Sequence, residues 1–229
     1  LDYLQNVRKI LQAPKIVPTK SFERTKKQAE TDALTGLANV RTFWERLSAD
    51  LDAMAGRSSS RGAESPAHPP AGLAVAMMDL DRFKRYNDTR GHQAGDVLLQ
   101  NLAELLRQVF RREDLPVRYG GDEFAAILPR TSQADAQAVL ERVRARVESE
   151  FREAGVTVSI GLAVSPQDGE TPKTLVARAD ELLYRVKEFG KNRVGGMKTI
   201  RLVYRPDPQA GPLPQQVTVV GDFNGWDRA

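Results

Sequence analysis

The sequence predicts a central domain of the mixed α/β (α+β) class, with a shorter segment on either side. Three observations predict this class. Short apolar or β-branched runs alternate with longer stretches in which apolar residues recur at helical spacing. Two of the short runs surround a pair of glycines, which is typical of a hairpin. Apolar residues make up 41% of the 229 residues and charged residues 28%, a balance typical of a packed core with a hydrated surface.

The first half of this domain is predicted to be helix, strand, helix. Apolar residues over 43–54 recur every three or four positions, so we expect an amphipathic helix that ends at Gly56. The stretch 57–72 is rich in Ser, Pro and Gly, which predicts a flexible loop. An apolar run at 73–78 then predicts a buried strand, and the leucine-rich stretch 97–109 predicts the next helix.

The second half is predicted to be strand, strand, helix, strand, helix. The runs 117–119 and 124–128 are short and apolar, and the glycine pair between them favours a tight connection. Ser132 has an acidic residue three positions further on, which resembles a helix-capping box. The β-branched run 156–164 predicts a strand, and Thr171, which is followed by proline, is expected to cap the last helix.

This order contains the β-α-β-β-α-β arrangement of ferredoxin-like folds, which places the first strand beside the third, antiparallel to it. The first strand is expected to stop at Asp79, and its end should therefore meet the start of the third, where Asp122 and Glu123 lie. Three close carboxylates repel one another unless a cation joins them. Hard oxygen ligands suit Mg²⁺ or Mn²⁺, and phosphates usually complete the coordination. Because Gly120 and Gly121 lack side chains, a nucleotide could approach their backbone closely.

Composition excludes several other functions. The chain has no cysteine and only two histidines, which excludes disulfide scaffolds, thiolate or histidine-rich metal sites and thiol nucleophiles. A net charge of +4 is too small to indicate nucleic-acid binding, although it suits a small polyanionic ligand. No signal peptide or membrane-spanning segment is visible, so we expect a cytoplasmic location. The chain also lacks the phosphate loop of Walker-type NTPases, and because it begins with Leu1 we expect a piece of a longer protein.

Five sequence motifs resemble, in order and spacing, those of the bacterial GGDEF-domain diguanylate cyclases. They are TDALTGLAN at 31–39, MDLDRFKRYNDTRGHQAGD at 78–96, GGDEF at 120–124, VSIGLAV at 158–164 and ADELLYRVKEFGKNRV at 179–194. The resemblance covers residues 31–196 and implies a nucleotidyl-cyclase palm around a mainly antiparallel sheet. It also implies condensation of two GTP molecules into cyclic di-GMP and two pyrophosphates. One GTP per domain implies a homodimer for catalysis.

The resemblance also implies roles for the acidic residues. Asp79, the Leu80 carbonyl, Asp122 and Glu123 would hold two Mg²⁺ (or Mn²⁺) ions in each active site. Asp122 would in addition help to deprotonate the attacking 3′-hydroxyl. A non-catalytic module that binds GTP or cyclic di-GMP is the alternative, but the presence of all three carboxylates favours catalysis.

Further positions match substrate-binding positions of the family. Asn87 and Asp96 would read the guanine edge, since an aspartate accepts from N1–H and the exocyclic amine. The other matching positions are Phe83, Lys84, Gly120, Gly121, Lys187 and Lys191. Two positions depart from the family pattern. Lys191 replaces a more frequent arginine and loses its bidentate fork, and Val40 stands where the family usually has arginine.

Three charged residues resemble a product-inhibition site of the family. Arg111 and Asp114 form an Arg-x-x-Asp pair shortly before the glycine pair, and Arg142 matches a secondary contact on the following helix. Arginine can bind guanine and phosphate oxygens bidentately. A charged helix end is the alternative explanation for the pair.

The flanking segments are predicted from their composition. Residues 1–30 are expected to be an N-terminal helical linker interrupted by prolines, either a plain linker or part of a dimerising signalling helix. Residues 197–229 are β-rich and end in VTVVGDFNGWD, which is similar to the start of glycogen-binding early-set modules. A complete sandwich usually needs ~100 residues. The segment is therefore either a truncated module, whose complete form would bind glucan through residues such as Trp226, or a packing tail.

Overall fold

The computed structural model describes residues 30–60 and 72–196, with side chains described for all of these except 57–60. Five helices, five strands and one 3₁₀ turn lie in these ranges. In chain order they are α1 (Val40–Ser60), β1 (Leu73–Asp81), α2 (Phe83–Arg90), α3 (His92–Val109), β2 (Leu115–Gly120), β3 (Glu123–Pro129), α4 (Gln133–Glu150), the 3₁₀ turn Arg152–Ala154, β4 (Thr157–Ser165), α5 (Pro172–Glu188) and β5 (Val194–Gly195).

The strands form one sheet in the order β2-β3-β1-β4-β5. The central strand β1 pairs antiparallel with both β3 and β4, β2 pairs antiparallel with β3, and β5 joins β4 in parallel. The predicted α/β class, the β-α-β-β-α-β order and the pairing of the first strand with the third are therefore confirmed.

Helices cover both faces of the sheet. Because successive strand residues point to opposite faces, Ala76 and Met78 of β1 pack with α3 and α4, while Val75 and Met77 pack with α1 and α5. Every residue of β1 except Asp79 is buried. A strand covered on both faces has no polar alternation, which is why β1 appears in the sequence as a continuous apolar run.

The predicted helix caps are confirmed. The Ser132 hydroxyl accepts the Asp135 backbone N–H at 3.2 Å. The Thr171 hydroxyl accepts the Thr174 N–H at 3.2 Å, and the Thr174 hydroxyl accepts the Thr171 N–H at 3.2 Å. Each cap satisfies donors that the first helical turn leaves unpaired.

Several boundaries were predicted wrongly. Helix α1 continues past Gly56 to Ser60, because that glycine lacks the positive φ that ends a helix and stays in helical conformation. Strand β1 extends to Asp81 rather than stopping at Asp79. Helix α2 was missed because Phe83 is its one buried residue, which leaves no apolar stripe to detect.

Three sequence predictions lie wholly or largely outside the described residues. These are the β-rich segment 197–229, the linker 1–30, of which only Glu30 is described, and the loop predicted over 57–72, of which 61–71 are not described. Among residues 30–60 and 72–196, none of the helices has the length and apolar character needed to cross a membrane.

Candidate functional site

The backbones of the three predicted acidic residues meet where β1 ends and β3 begins. Asp79 lies opposite Glu123 in the β1–β3 register. The Leu80 N–H donates to the Asp122 carbonyl at 3.3 Å, which holds the two backbones together just beyond that pair. The expectation that residues distant in sequence meet at this point is therefore correct.

Asp79 is the most constrained of the three. Its side chain is only 14% exposed, and burial raises the pKa of its carboxyl above the usual value. Lys187 of α5 opposes this shift in pKa with an ion pair of 2.7 Å between Nζ and Oδ2, whereas the negative charge of Asp122 reinforces it. A half-buried carboxylate beside a second one favours any added positive charge. The position is therefore suited to cation binding.

The oxygen ligands at this position suit a Mg²⁺ ion whose remaining ligands come from substrate phosphates. Within the described part of the chain, no three acidic or histidine side chains are close enough to hold a metal ion by themselves. Magnesium characteristically uses one or two carboxylates together with substrate phosphates rather than a cage built entirely of protein. Asp79, the Leu80 carbonyl, Asp122 and Glu123 supply hard oxygens of this kind.

The glycine pair lies in the β2–β3 turn, next to Asp122 and Glu123. Neither Gly120 nor Gly121 has a positive φ, so the backbone conformation does not require glycine. An added Cβ at Gly121 would meet no atom within 4 Å, and one at Gly120 would lie 3.2 Å from Glu123 Oε2. Gly121 therefore borders open space, and a side chain at Gly120 would crowd Glu123.

A cavity of about 380 Å³ is bordered by Asp122. It lies between α2, α3 and the β2–β3 turn. Six of the predicted site residues line it, namely Phe83, Lys84, Asn87, Asp96, Gly121 and Asp122. Both residues predicted to read the base therefore line the same cavity as Asp122, one of the predicted metal-binding residues.

Asn87, which lines this cavity, carries an unpaired polar atom. Its Oδ1 is buried and has no hydrogen-bond partner among the described residues. Leaving a buried acceptor unpaired costs about 1–3 kcal/mol. A ligand that donates a hydrogen bond to Oδ1 would recover this free energy, so Asn87 is suited to binding a donor.

The two lysines near the end of α5 are placed differently. Lys187 forms an ion pair with Asp79, whereas Lys191 is exposed and does not line the cavity. Lys191 and Asn192 both have left-handed backbone conformations, with φ of 62° and 48°. They form a tight turn after α5, and the Lys191 N–H donates to the Val186 carbonyl at 2.9 Å.

Asp81 holds that turn in place and was missed in the sequence analysis. Its buried carboxylate accepts hydrogen bonds from the Ser159 and Thr157 hydroxyls, each at 2.8 Å, and from the Asn192 N–H at 3.1 Å. Strand alternation puts Asp81 on the same face as Asp79. The two-residue spacing from Asp79 was the sequence signal that could have identified Asp81. Its three hydrogen-bond donors lie in other parts of the chain, so the sequence did not reveal them.

Arg118 is a second residue that was missed. Its Nη1 lies 3.2 and 3.3 Å from the two carboxylate oxygens of Asp32. Its Nε and Nη2 donate to the Gly121 carbonyl at 3.2 and 2.9 Å. Arg118 therefore connects the 31–39 motif to the glycine turn of the site.

The predicted inhibitory residues lie around the end of α3. Asp114 is buried, and its Oδ2 accepts the Arg111 N–H at 2.9 Å, so this carboxylate closes a turn after the helix. Burial raises the pKa of the Asp114 carboxyl. The side chains of Arg111 and Arg142 are exposed, and Arg142 donates to the Val109 carbonyl at 3.3 Å. The two guanidinium groups are accessible, while Asp114 is engaged by the backbone.

Comparison with protein-family models matches residues 29–193 to the family described as diguanylate cyclase, GGDEF domain. The response regulator PleD of Caulobacter vibrioides is 40% identical over 175 residues, covering 73% of this chain and 36% of that protein. Diguanylate cyclase A of Treponema denticola is 42% identical over 127 residues, covering 53% of this chain and 34% of that protein. The chain thus spans about a third of the length of these two relatives.

Solved structures agree with these matches. The coiled coil and GGDEF domain of DgcB from Caulobacter crescentus, in complex with c-di-GMP, superposes with a TM-score of 0.66 at 30% identity. That match covers 85% of this chain and 95% of the other. Diguanylate cyclase SiaD of Pseudomonas aeruginosa, in complex with its activator SiaC, gives a TM-score of 0.63 at 34% identity, covering 84% of this chain and 71% of the other.

Proposed function

This chain belongs to the GGDEF diguanylate cyclase family, and on that premise we propose that it condenses two GTP molecules into cyclic di-GMP, releasing two pyrophosphates. The observation that carries the proposal is one cavity lined both by Asn87, whose buried Oδ1 has no hydrogen-bond partner among the described residues, and by Asp122. A nucleotide bound there would have its base at α2 and α3 and its phosphates at the β1–β3 junction.

Guanine fits the chemistry of the base-reading end. Asn87 Oδ1 and the Asp96 carboxylate are both acceptors, and guanine presents two neighbouring donors, N1–H and the exocyclic amine. Adenine presents a ring-nitrogen acceptor at the equivalent edge, which would face the Asp96 charge without a proton between them. We therefore propose GTP rather than ATP as substrate.

Three lysines could supply positive charge to the proposed phosphate end. Lys84 lines the cavity, Lys187 is bound to Asp79, and Lys191 lies on the turn held by Asp81. Lysine ammonium groups near a triphosphate offset its charge and favour binding in the extended arrangement that in-line transfer requires. Transfer of Lys187 from Asp79 to a phosphate would free a carboxylate oxygen at the same time.

GGDEF diguanylate cyclases generally use Mg²⁺, and Asp79, the Leu80 carbonyl, Asp122 and Glu123 would hold it here. When bound, the metal neutralises charge that develops on the attacked α-phosphate and on the leaving pyrophosphate. Asp122 is proposed to accept the proton of the attacking 3′-hydroxyl. Each of the two condensations forms a 3′-oxygen–phosphorus bond and breaks an α–β phosphoanhydride bond.

The proposed reaction requires a homodimer. Because each domain would hold one GTP, the 3′-hydroxyl of each must attack the α-phosphate bound to a second copy.

Product inhibition is a further part of the proposal. The accessible guanidinium groups of Arg111 and Arg142 would bind cyclic di-GMP and inhibit turnover, with Asp114 shaping the turn that presents Arg111.

Product analysis tests the proposal directly. The protein is incubated with GTP and Mg²⁺, and nucleotides are separated by chromatography beside two matched variants, Asp79→Asn and Glu123→Gln. We expect cyclic di-GMP from the unaltered chain and at least a hundredfold less from either variant, since each removes a charge at the attacked phosphate. GTP binding without product, even when two copies are tethered, would instead indicate a non-catalytic module.

A further inference from the structure

We propose that Gly95 is a positioning residue of the nucleotide site, because its missing side chain leaves the space in which the Asn87 carboxamide lies. An added Cβ at Gly95 would overlap Asn87 Oδ1 and would lie 2.8 Å from Cγ and 3.2 Å from Nδ2 of the same side chain. The three nearest atoms thus all belong to one carboxamide. This inference rests on the proposed use of Asn87 as a base-reading residue.

The connection between two helices creates this close approach. Asn87 lies in the last turn of α2 and Gly95 in the first turn of α3. One residue, Gly91 with φ of 85°, joins the helices. Its N–H donates to the Asn87 carbonyl at 2.8 Å, and its carbonyl accepts the Gly95 N–H at 3.2 Å. This short path places the Asn87 side chain against the backbone of α3.

Local backbone conformation gives no reason for glycine at this position. Gly95 is absent from the positions with positive φ and lies within a regular helix, where alanine is the more favourable residue. Glycine at this buried position therefore makes the helix less stable than alanine would. The Asn87 carboxamide is the group that occupies the resulting space, and it is the same group whose Oδ1 lacks a partner beside the cavity.

Packing against Gly95 has a consequence for binding. A carboxamide whose Oδ1 packs against a helix backbone cannot rotate freely, so the Asn87 side chain keeps one orientation before the ligand arrives. Any side chain at position 95 would push this carboxamide out of that orientation. The loss should appear in nucleotide affinity and not in the stability of the fold.

Calorimetry with a non-reactive nucleotide tests the inference. The probe is guanosine 5′-[α,β-methylene]triphosphate with Mg²⁺, which cannot release pyrophosphate, so the readout does not depend on catalysis. We expect Gly95→Ala to weaken its Kd by about 10- to 100-fold while Tm stays the same or rises. Gly56→Ala is the matched control, because Gly56 is also helical but an added Cβ there meets no atom within 4 Å.

A double-mutant cycle separates positioning from a general structural effect. If Gly95 acts through Asn87, the double variant Gly95→Ala/Asn87→Ala should bind no more weakly than Asn87→Ala alone. Additive losses, or unchanged affinity in Gly95→Ala, would overturn the inference. If Gly95→Ala alone fails to fold, recovery of folding in the double variant supports the shared space, and failure of both overturns it. An unaltered protein that does not bind the probe would instead refute the nucleotide site.

Discussion

Replacing Arg118 by methionine should destabilise the domain far more than a typical surface ion pair would predict. The side chains of Arg118 and Asp32 are only 16% and 23% exposed. The guanidinium spans two carboxylate oxygens on one side and the Gly121 carbonyl on the other. Arg118→Met removes both connections and leaves Asp32 and the carbonyl without their partner.

The size of the effect follows from burial. Exposed ion pairs contribute about 0–1 kcal/mol, whereas breaking a fully buried pair costs about 3–5 kcal/mol. A pair of intermediate exposure with additional hydrogen bonds should lie between these limits, so we expect a loss of about 2–3 kcal/mol in the free energy of unfolding. Urea denaturation followed by Trp44 fluorescence measures it, as the shift in midpoint multiplied by the m-value.

Arg46→Met is the matched control. Arg46 pairs with Asp50 within one helix at 2.8 Å, and their side chains are 40% and 21% exposed. Pairs of this kind contribute about 0.3–0.5 kcal/mol. If Arg118→Met were no more destabilising than Arg46→Met, the account of Arg118 as a buried connector would be refuted.

The same variant predicts a pH dependence. Burial raises the pKa of the Asp32 carboxyl, but hydrogen bonds from Thr35 and Arg118 outweigh this and hold it below the usual value. A lowered carboxyl pKa stabilises the fold above the unfolded pKa of about 3.9 and ceases to do so as pH falls through the folded pKa. The stability difference between the unaltered chain and Arg118→Met should therefore be full at pH 7 and shrink below about pH 4. A constant difference down to pH 2 would contradict this cause.

Other parts of the fold give three further predictions. Gly161→Ala should cost at least about 2 kcal/mol, since an added Cβ would overlap the Ala179 carbonyl of α5, and an unchanged urea midpoint would contradict this. Thr171→Ala should cost about 1 kcal/mol through loss of the α5 cap, whereas Thr171→Ser should retain most of it in the same assay. Asp81→Ala should raise the KM for GTP by releasing the 191–192 turn, an effect that would be absent if this turn does not contact phosphate.

Much of the fold could be predicted because its pattern is local. The apolar run of β1 predicts a strand and the leucine repeat of α3 predicts a helix, each from a few neighbouring residues. The order of the elements then predicts which strands are neighbours. Helix α2 could not be predicted this way. It fully buries one side chain, Phe83, with Tyr86 only partly buried against the core, so no apolar stripe marks the helix in the sequence.

In the candidate site, too, some residues could be predicted from the sequence and others could not. Asp79, Asp122 and Glu123 were found because strand order alone brings their backbones together. Arg118 and Asp32 are 86 residues apart, and no periodicity connects them. Gly95 looks in the sequence like an ordinary flexible residue, and its relation to Asn87 depends on how two helices pack. Contacts made by side chains across elements were the part that the sequence could not reveal.

The stoichiometry and concentration dependence of the reaction test the central claim most directly. Pyrophosphate and cyclic di-GMP are quantified together while GTP and Mg²⁺ are held saturating and the protein is diluted. The account predicts two pyrophosphates for each cyclic di-GMP, and a rate per protein chain that falls on dilution as paired domains separate. Release of phosphate with GDP, or a linear dinucleotide as final product, would contradict it.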